Sequence, residues 1–310
     1  MKKKIIALWM YRNDGGDVIQ RELKKRLEES GASVINDFDM RECYCLNGRI
    51  LTKKGFDLSS VDVFYYMNAD DQSVFQNDIL RALELSGVRI INSWDAFYTA
   101  KNKFMTNVLL KKHGLNVPPS LFVNSKQAKI FAEKIITDWK KILIKPVSRH
   151  GGKGIVIFDN TEQFIDFIDA TQDCFDSYYI EKFIPFEKHD YRVEILNGKV
   201  IGKYCRACNH SYKTNVTLGG NYLSSVPSTD FDVIALKAAK ILRIQNTIVD
   251  MLKSLEDDQI YIIEVNYLLG AFTEAYIKYS GKLKNQKVFS SVKYDNKKLE
   301  ELANLLLNEN

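Results

Sequence analysis

Apolar and polar positions in the first hundred residues switch between two periods. Ile5-Ile6-Ala7-Leu8-Trp9-Met10 is an unbroken apolar run that predicts a buried strand over Lys4–Met10. Gly15-Gly16 predicts a turn and Asp17 a helix N-cap. Ile19, Leu23 and Leu27 then recur every four residues until Gly31 closes the helix. Ser33–Asp37, Val61–Met67 and Val88–Asn92 predict further strands, with a helix over Val74–Ser86. Such alternation predicts an open, largely parallel sheet. No GxGxxG follows the first strand, so a dinucleotide fold is not supported.

Downstream, Lys101–Lys112 predicts a helix with Phe104, Val108 and Leu109 on one face, and Val117-Pro118-Pro119 marks a boundary. Strands are predicted at Leu121–Val123, Ile142–Lys145, Ile155–Phe158 and Tyr178–Ile180, and helices over Lys126–Thr137 and after Thr161. Tyr191–Leu196 and Lys199–Tyr204 flank Asn197-Gly198, a two-residue hairpin signal. A helix capped by Asp230 follows the loop-like 213–225 stretch. Val249–Leu252 and Ile260–Asn266 are then paired across a polar turn, and Leu299–Leu307 is a terminal helix. The chain divides into 1–100, 101–180 and 181–310: an α/β first unit and a C-terminal half of α+β character.

Composition narrows the class. With 310 residues and 45% apolar content, the chain can bury a sizeable core. No apolar run reaches a membrane span, and Ile5–Met10 is too short for a secretory signal. Five cysteines, an odd number, fit reduced thiols, so a cytoplasmic location is expected. Cys205-Arg206-Ala207-Cys208 lacks a second pair of ligands at zinc spacing. The net charge of +5 is that of a solvated surface rather than a nucleic-acid footprint.

Chemistry enters with the strand pair. Asp250 and Glu264 fall at neighbouring strand positions, and alternation puts Asn266 on the same face as Glu264. Two carboxylates and an amide oxygen are hard ligands suited to Mg²⁺ held against phosphates. Upstream lie Lys103, then Lys145 and the loop Ser148-Arg149-His150-Gly151-Gly152-Lys153-Gly154. Glycines let backbone amides approach a phosphate, although such a loop also serves as a plain turn, and it is not a P-loop. Arg192 and Arg206, on the two hairpin strands, can aim above the carboxylates; surface ion pairing is the alternative. Together these residues point to an ATP-dependent enzyme.

The order Lys103, Lys145, glycine loop, Glu181-Lys182, Asp190, Arg192, Arg206, Asn215, Asp250, Glu264-x-Asn266 resembles the ATP-grasp superfamily, and within it the RimK-like carboxylate–amine ligases. The resemblance spans about Asn92 to Phe272. It implies three subdomains, with ATP clamped between the central and C-terminal ones. It also implies that Lys103, Lys145 and Gly151, Gly152 and Gly154 contact the phosphates, with Lys145 also near the adenine. Glu181 and the Lys182 backbone would line the adenine, Asp190 would hold the ribose, and Asn215 would lie near the phosphates. Asp250, Glu264 and Asn266 would bind two Mg²⁺ ions, with Mn²⁺ as a substitute. Arg206 would stabilise the transferring phosphoryl, and Arg192 would help hold the carboxylate. Here the metal strand runs into Tyr267-Leu268-Leu269-Gly270-Ala271-Phe272. Only the glycine of the family's small-Pro-Gly turn is kept, which predicts an apolar, aromatic site floor.

The implied reaction joins a carboxylate to an amine through an acyl phosphate, releasing ADP and phosphate. Its partners would be small-molecule or peptide substrates, without nucleic acid or membrane, and homo-oligomers are common among relatives. The alternatives are a small-molecule kinase on the same fold and a nucleotide-binding regulatory protein with a decayed site.

Overall fold

The computed structural model describes residues 3–68, 74–148, 152–207, 212–214, 221–223, 227–268, 272–280 and 294–308. Arg149, His150, Gly151, Cys208, Asn215 and residues 269–271, all singled out above, lie outside the described residues.

The first unit contains β1 (Ile5–Met10), α1 (Gly16–Glu29), β2 (Ser33–Ile35), β3 (Tyr44–Leu46), β4 (Arg49–Leu51), β5 (Val63–Met67), α2 (Val74–Leu85), β6 (Arg89–Ile91) and α3 (Trp94–Lys101). Its sheet runs β2-β1-β5-β6 and is parallel throughout, as the alternation predicts. β3 and β4 form a separate hairpin between β2 and β5, which their short sequences do not announce. The α1 cap is Gly15, with φ at 90°, rather than Asp17, which lies in the first turn and pairs with Arg21. A Cβ on Gly16 would stand 2.3 Å from the Tyr11 carbonyl oxygen, so this turn requires glycine.

The central unit contains α4 (Lys103–Lys112), β7 (Ser120–Asn124), α5 (Ala132–Trp139), β8 (Ile142–Lys145), β9 (Val156–Phe158), α6 (Thr161–Thr171) and β10 (Ser177–Lys182). Its antiparallel sheet, β7-β10-β8-β9, has its own core of Ile142, Phe158, Phe164, Ile168 and Tyr178 among others. The helix predicted over Lys101–Lys112 is broken at Asn102. The Asn102 Oδ1 accepts from the Met105 N–H at 3.1 Å and so caps α4, a local bond that overrides the apolar periodicity. Lys103 therefore begins a helix, and its N–H donates to the Val147 carbonyl at 3.0 Å, just beyond β8.

The last unit contains β11 (His189–Leu196), β12 (Lys199–Ala207), β13 (Asn221–Leu223), α7 (Thr229–Ile241), β14 (Asn246–Lys253), β15 (Ile260–Val265), α8 (Thr273–Ser280) and α9 (Tyr294–Leu307). Its sheet runs β13-β12-β11-β14-β15, antiparallel throughout. Asn197 and Gly198 both have positive φ, 50° and 71°, as their hairpin turn demands. α7 is capped by Ser228, two residues before the Asp230 expected from sequence.

The first and last units share cores. Ala7, Phe64 and Phe97 pack in one cluster with Val193, Val249, Met251 and Tyr267. Ile6, Leu8 and Leu23 pack in another with Ile248, Leu302 and Leu306. Asn92, fully buried, joins the two sheets. Its Nδ2 donates to the carbonyls of Asn246 (2.8 Å) and Tyr267 (2.9 Å), and its Oδ1 accepts from the N–H groups of Gln245 (3.0 Å) and Asn246 (2.9 Å). No helix among the described residues is long and apolar enough to cross a membrane.

Candidate active site

The polar face of the C-terminal sheet is set by strand alternation. On β11, Val193 and Ile195 enter the apolar core, while Asp190, Arg192 and Glu194 occupy the opposite face. On β14, Val249 and Met251 do the same, leaving Asp250 on the polar face. Register then brings the groups together: Arg192 and Glu264 both flank Asp250, and Arg206 stands opposite Asp190. A register shift follows the Asp250–Glu264 pair, with Met251 opposite Ile262. The unpaired Ile263 bulges, and both Ile263 and Glu264 line one cleft.

Charges on this face interlock. Arg192 Nε donates to Asp250 Oδ1 at 2.6 Å. Arg206 Nε donates to both oxygens of Asp190, at 3.0 and 3.1 Å, and its Nη2 reaches Asp190 Oδ2 as well as Asp250 Oδ2 at 3.4 Å. Burial works against the charge on both arginines. The carboxylates of Asp190 and Asp250 outweigh it, and both guanidinium pKa values lie above the ordinary range. Burial pushes the Asp250 carboxyl up, opposed by Arg192 and Arg206. Asn266 Nδ2 is tied to the Ile248 carbonyl (2.9 Å) and reaches Asp250 Oδ1 (3.4 Å), which turns its own oxygen the other way.

A cleft separates this face from the central sheet. Lys103, Lys145, Glu181 and Lys182 enter it from the central side; Asp190, Arg206, Asp250 and Glu264 enter from the C-terminal side. Lys103 Nζ crosses to Glu264 Oε1 at 3.0 Å, and Lys145 pairs with Glu181. Gly152 lines the cleft, with φ at 71°. A Cβ on Gly154 would stand 2.8 Å from Pro146 Cγ, so the loop folds tightly back on the end of β8. Lys182 donates its N–H to the Pro119 carbonyl at 2.8 Å, and a proline has no N–H to return.

The donor set fits Mg²⁺. The carboxylates of Asp250 and Glu264 are hard, in register and surrounded by cations suited to phosphate charge, whereas Asn266 turns its Nδ2, not its oxygen, toward Asp250. Sequence reasoning missed the apolar lining from Leu252, Ile263 and Phe186, whose side chains carry no periodic signal apart from their own strands. It also missed Lys213 and Thr214, which line the cleft from a stretch read only as a polar loop, and Tyr212 just before it. The expected aromatic floor is corrected: Tyr267 packs edge-on against Phe97 at 5.0 Å and Phe272 is fully buried, so both rings serve the core. Cys205 alternates with Arg206 and is buried, opposite Tyr191 in register.

The chain has relatives among known proteins. Residues 100–286 match the model of the RimK-like ATP-grasp domain. The chain is 26% identical to the tetrahydromethanopterin:alpha-L-glutamate ligase of Methanocaldococcus jannaschii over 259 residues, covering 81% of this chain and 86% of that protein. The crystal structure of an ATP-grasp RimK domain protein from Sphaerobacter thermophilus superposes with a TM-score of 0.69 at 10% identity, over 98% of this chain and 100% of the other. A RiPP-associated ATP-grasp ligase of Chryseobacterium gregarium, in complex with ADP and a leader and core peptide, superposes with a TM-score of 0.64 at 15% identity, over 98% of this chain and 96% of the other. With its matched domain covering more than half of its length, the chain belongs to the RimK-like ATP-grasp family and is an ATP-dependent carboxylate–amine ligase.

Proposed function

We propose that this ligase forms an amide between an acceptor carboxylate and the amine of an amino acid, with glutamate the first candidate. The observation that carries this is the in-register Asp250–Glu264 pair facing Lys103 across the cleft that also holds Lys145 and Gly152. The glutamate reading is supported by the name of the Methanocaldococcus jannaschii relative.

In this reading ATP lies in the cleft with its phosphates toward Lys103, Lys145 and the glycine loop. The Lys182 carbonyl, opposite a proline that cannot bond it, accepts from the adenine amine. Asp250 and Glu264 would hold Mg²⁺, read as two ions and replaceable by Mn²⁺, with Asn266 as the third ligand after its amide turns its oxygen toward them. When bound, the metal neutralises phosphate charge as phosphoryl transfer proceeds. Asp190 faces the ribose side of the cleft, but its bonds to Arg206 make it first the group that orients that guanidinium. Gly151 and Asn215 keep the phosphate roles that their motif positions suggest.

The substrate carboxylate takes the γ-phosphoryl group and ADP leaves. The amine then attacks the acyl carbon, and the C–O bond breaks to release phosphate. Arg206 and Arg192 supply fixed positive charge where the migrating phosphoryl and tetrahedral oxygen develop negative charge, without reorganising during reaction. Closure of the two sheets on the cleft keeps water from the acyl phosphate.

The test is mass spectrometry with phosphate release. Protein, ATP and Mg²⁺ are incubated with amino acids and small carboxylate acceptors. A product heavier by one amino acid minus water, with stoichiometric phosphate, is expected. A product heavier by a phosphoryl group, with ADP and no phosphate, would replace the ligase reading with a kinase.

A further inference from the structure

A second cavity, of about 480 Å³, lies in the first unit, apart from the nucleotide cleft. Its position follows from topology. The chain leaves β1 toward β2 on one side and later leaves β5 toward β6 on the other, so the sheet order β2-β1-β5-β6 reverses between β1 and β5. Met10 and Met67, paired in register, end those two strands. The cavity is lined by Met10, Tyr11 and Arg12 just past β1 and by Asn68 just past β5. In open α/β sheets the crevice beyond the carboxyl ends at such a reversal is where ligands bind. The β3–β4 hairpin walls it in, since Arg41 and Glu42 precede β3 and Thr52, Lys53 and Lys54 follow β4.

The lining states a chemistry. Trp9, Met10, Tyr11 and Phe38 contribute aromatic and apolar groups to a lining that is otherwise polar and charged. Four cations stand around it, and three are matched: Arg41 by Asp39, Lys53 by Glu42 and Lys54 by Asp37. Arg12 is the fourth. Its Nη2 donates to the Asn36 carbonyl at 3.2 Å, and no carboxylate lies within ion-pair distance of it among the described residues. Among the described lining residues one guanidinium is in surplus, and with aromatic side chains in the same lining it selects a single anionic group on an apolar or aromatic body.

The cavity is also tied to the catalytic strand. Tyr11, in its wall, accepts the Phe272 N–H at 3.1 Å. Phe272 is six residues past Asn266, a stretch that spans at most about 20 Å. We propose that this cavity is the docking site for the non-reacting end of the acceptor, an organic carboxylate with an apolar or aromatic body, held by Arg12. That assignment to the acceptor rests on the ligase reading, whereas the binding chemistry does not.

The experiment uses hippurate, an aromatic ring bearing one carboxylate, and its neutral amide. The full-length protein is titrated without nucleotide while the Trp9 indole N–H is followed by NMR, assigned with Trp9→Phe among the three tryptophans. Hippurate is expected to shift that resonance saturably, with the amide binding about tenfold more weakly. Arg12→Ala is expected to lose the same factor and Arg12→Lys to retain part of it, with ADP affinity unchanged in both. In the ligase assay Arg12→Ala should raise the acceptor KM and leave the ATP KM alone. No saturable shift, equal binding of acid and amide, or no effect of Arg12→Ala overturns the site. The titration contains no nucleotide, so its failure is distinct from a failure of ligase activity.

Discussion

Arg192 Nε sits 2.6 Å from Asp250 Oδ1, its register partner on the neighbouring strand. The same carboxylate takes Arg206 on its other oxygen and lies beside Glu264, so one buried aspartate links both arginines to the second metal candidate. Removing Arg192 leaves that carboxylate poorly compensated. Arg192→Ala is expected to cost about 3 kcal/mol in urea unfolding, with Arg192→Lys recovering part. A loss below about 1 kcal/mol would put the pair among weak surface contacts.

Arg206 is held by both oxygens of Asp190 and points into the cleft. A donor fixed in this way acts on charge that develops during reaction. Arg206→Ala is expected to lower turnover about 100-fold while ATP affinity changes far less. Steady-state kinetics beside nucleotide binding decide it. The opposite pattern would assign Arg206 to ground-state binding.

Asn92 uses both ends of its amide, with four bonds to Gln245, Asn246 and Tyr267, to join the first sheet to β14 and to the segment leaving β15. Asn92→Ala strands buried N–H and C=O groups on three residues. Thermal or denaturant unfolding is expected to show a loss of about 3 kcal/mol. A change within about 0.5 kcal/mol would mean that the sheets are joined by apolar packing alone.

Glu194 continues the polar alternation of β11 beyond Arg192 and meets Lys298 of α9 at 3.0 Å, both fully buried. Lys298 also lies 4.8 Å from the centre of the Phe272 ring. Lys298→Met alone is expected to destabilise by about 3–5 kcal/mol, because Glu194 would be left as an uncompensated buried charge. Lys298→Met combined with Glu194→Gln should recover most of that loss. Additive losses in this double-mutant cycle would show that the two residues are not coupled.

Part of this was legible in the sequence through strand periodicity. A period of two puts Asp190 and Arg192 on one face of β11, and Asp250 on the face of β14 opposite the apolar Val249 and Met251. Bulges at Ile201 and Ile263 are what bring Arg206 opposite Asp190 and Glu264 opposite Asp250, and neither bulge is marked in the sequence. Helix starts were less legible. Gly15, Asn160 and Ser228 cap helices one or two positions before Asp17, Thr161 and Asp230, and Asn102 caps α4 inside a stretch whose periodicity reads as one helix. The fate of Tyr267 and Phe272 was not legible at all. Local sequence shows two aromatics after a metal strand, and only the shared core explains why they turn inward. The Glu194–Lys298 pair is hidden for the same reason, since 104 positions separate its members.

The most direct test is calorimetry of ATP binding with and without Mg²⁺, which needs no knowledge of the acceptor. Wild-type protein is expected to bind ATP more tightly with Mg²⁺. Asp250→Ala and Glu264→Ala are expected to lose that gain while still binding metal-free nucleotide through the central sheet. A Mg²⁺-dependent gain that survives in both folded variants would contradict the placement of the metal on the β14–β15 carboxylates.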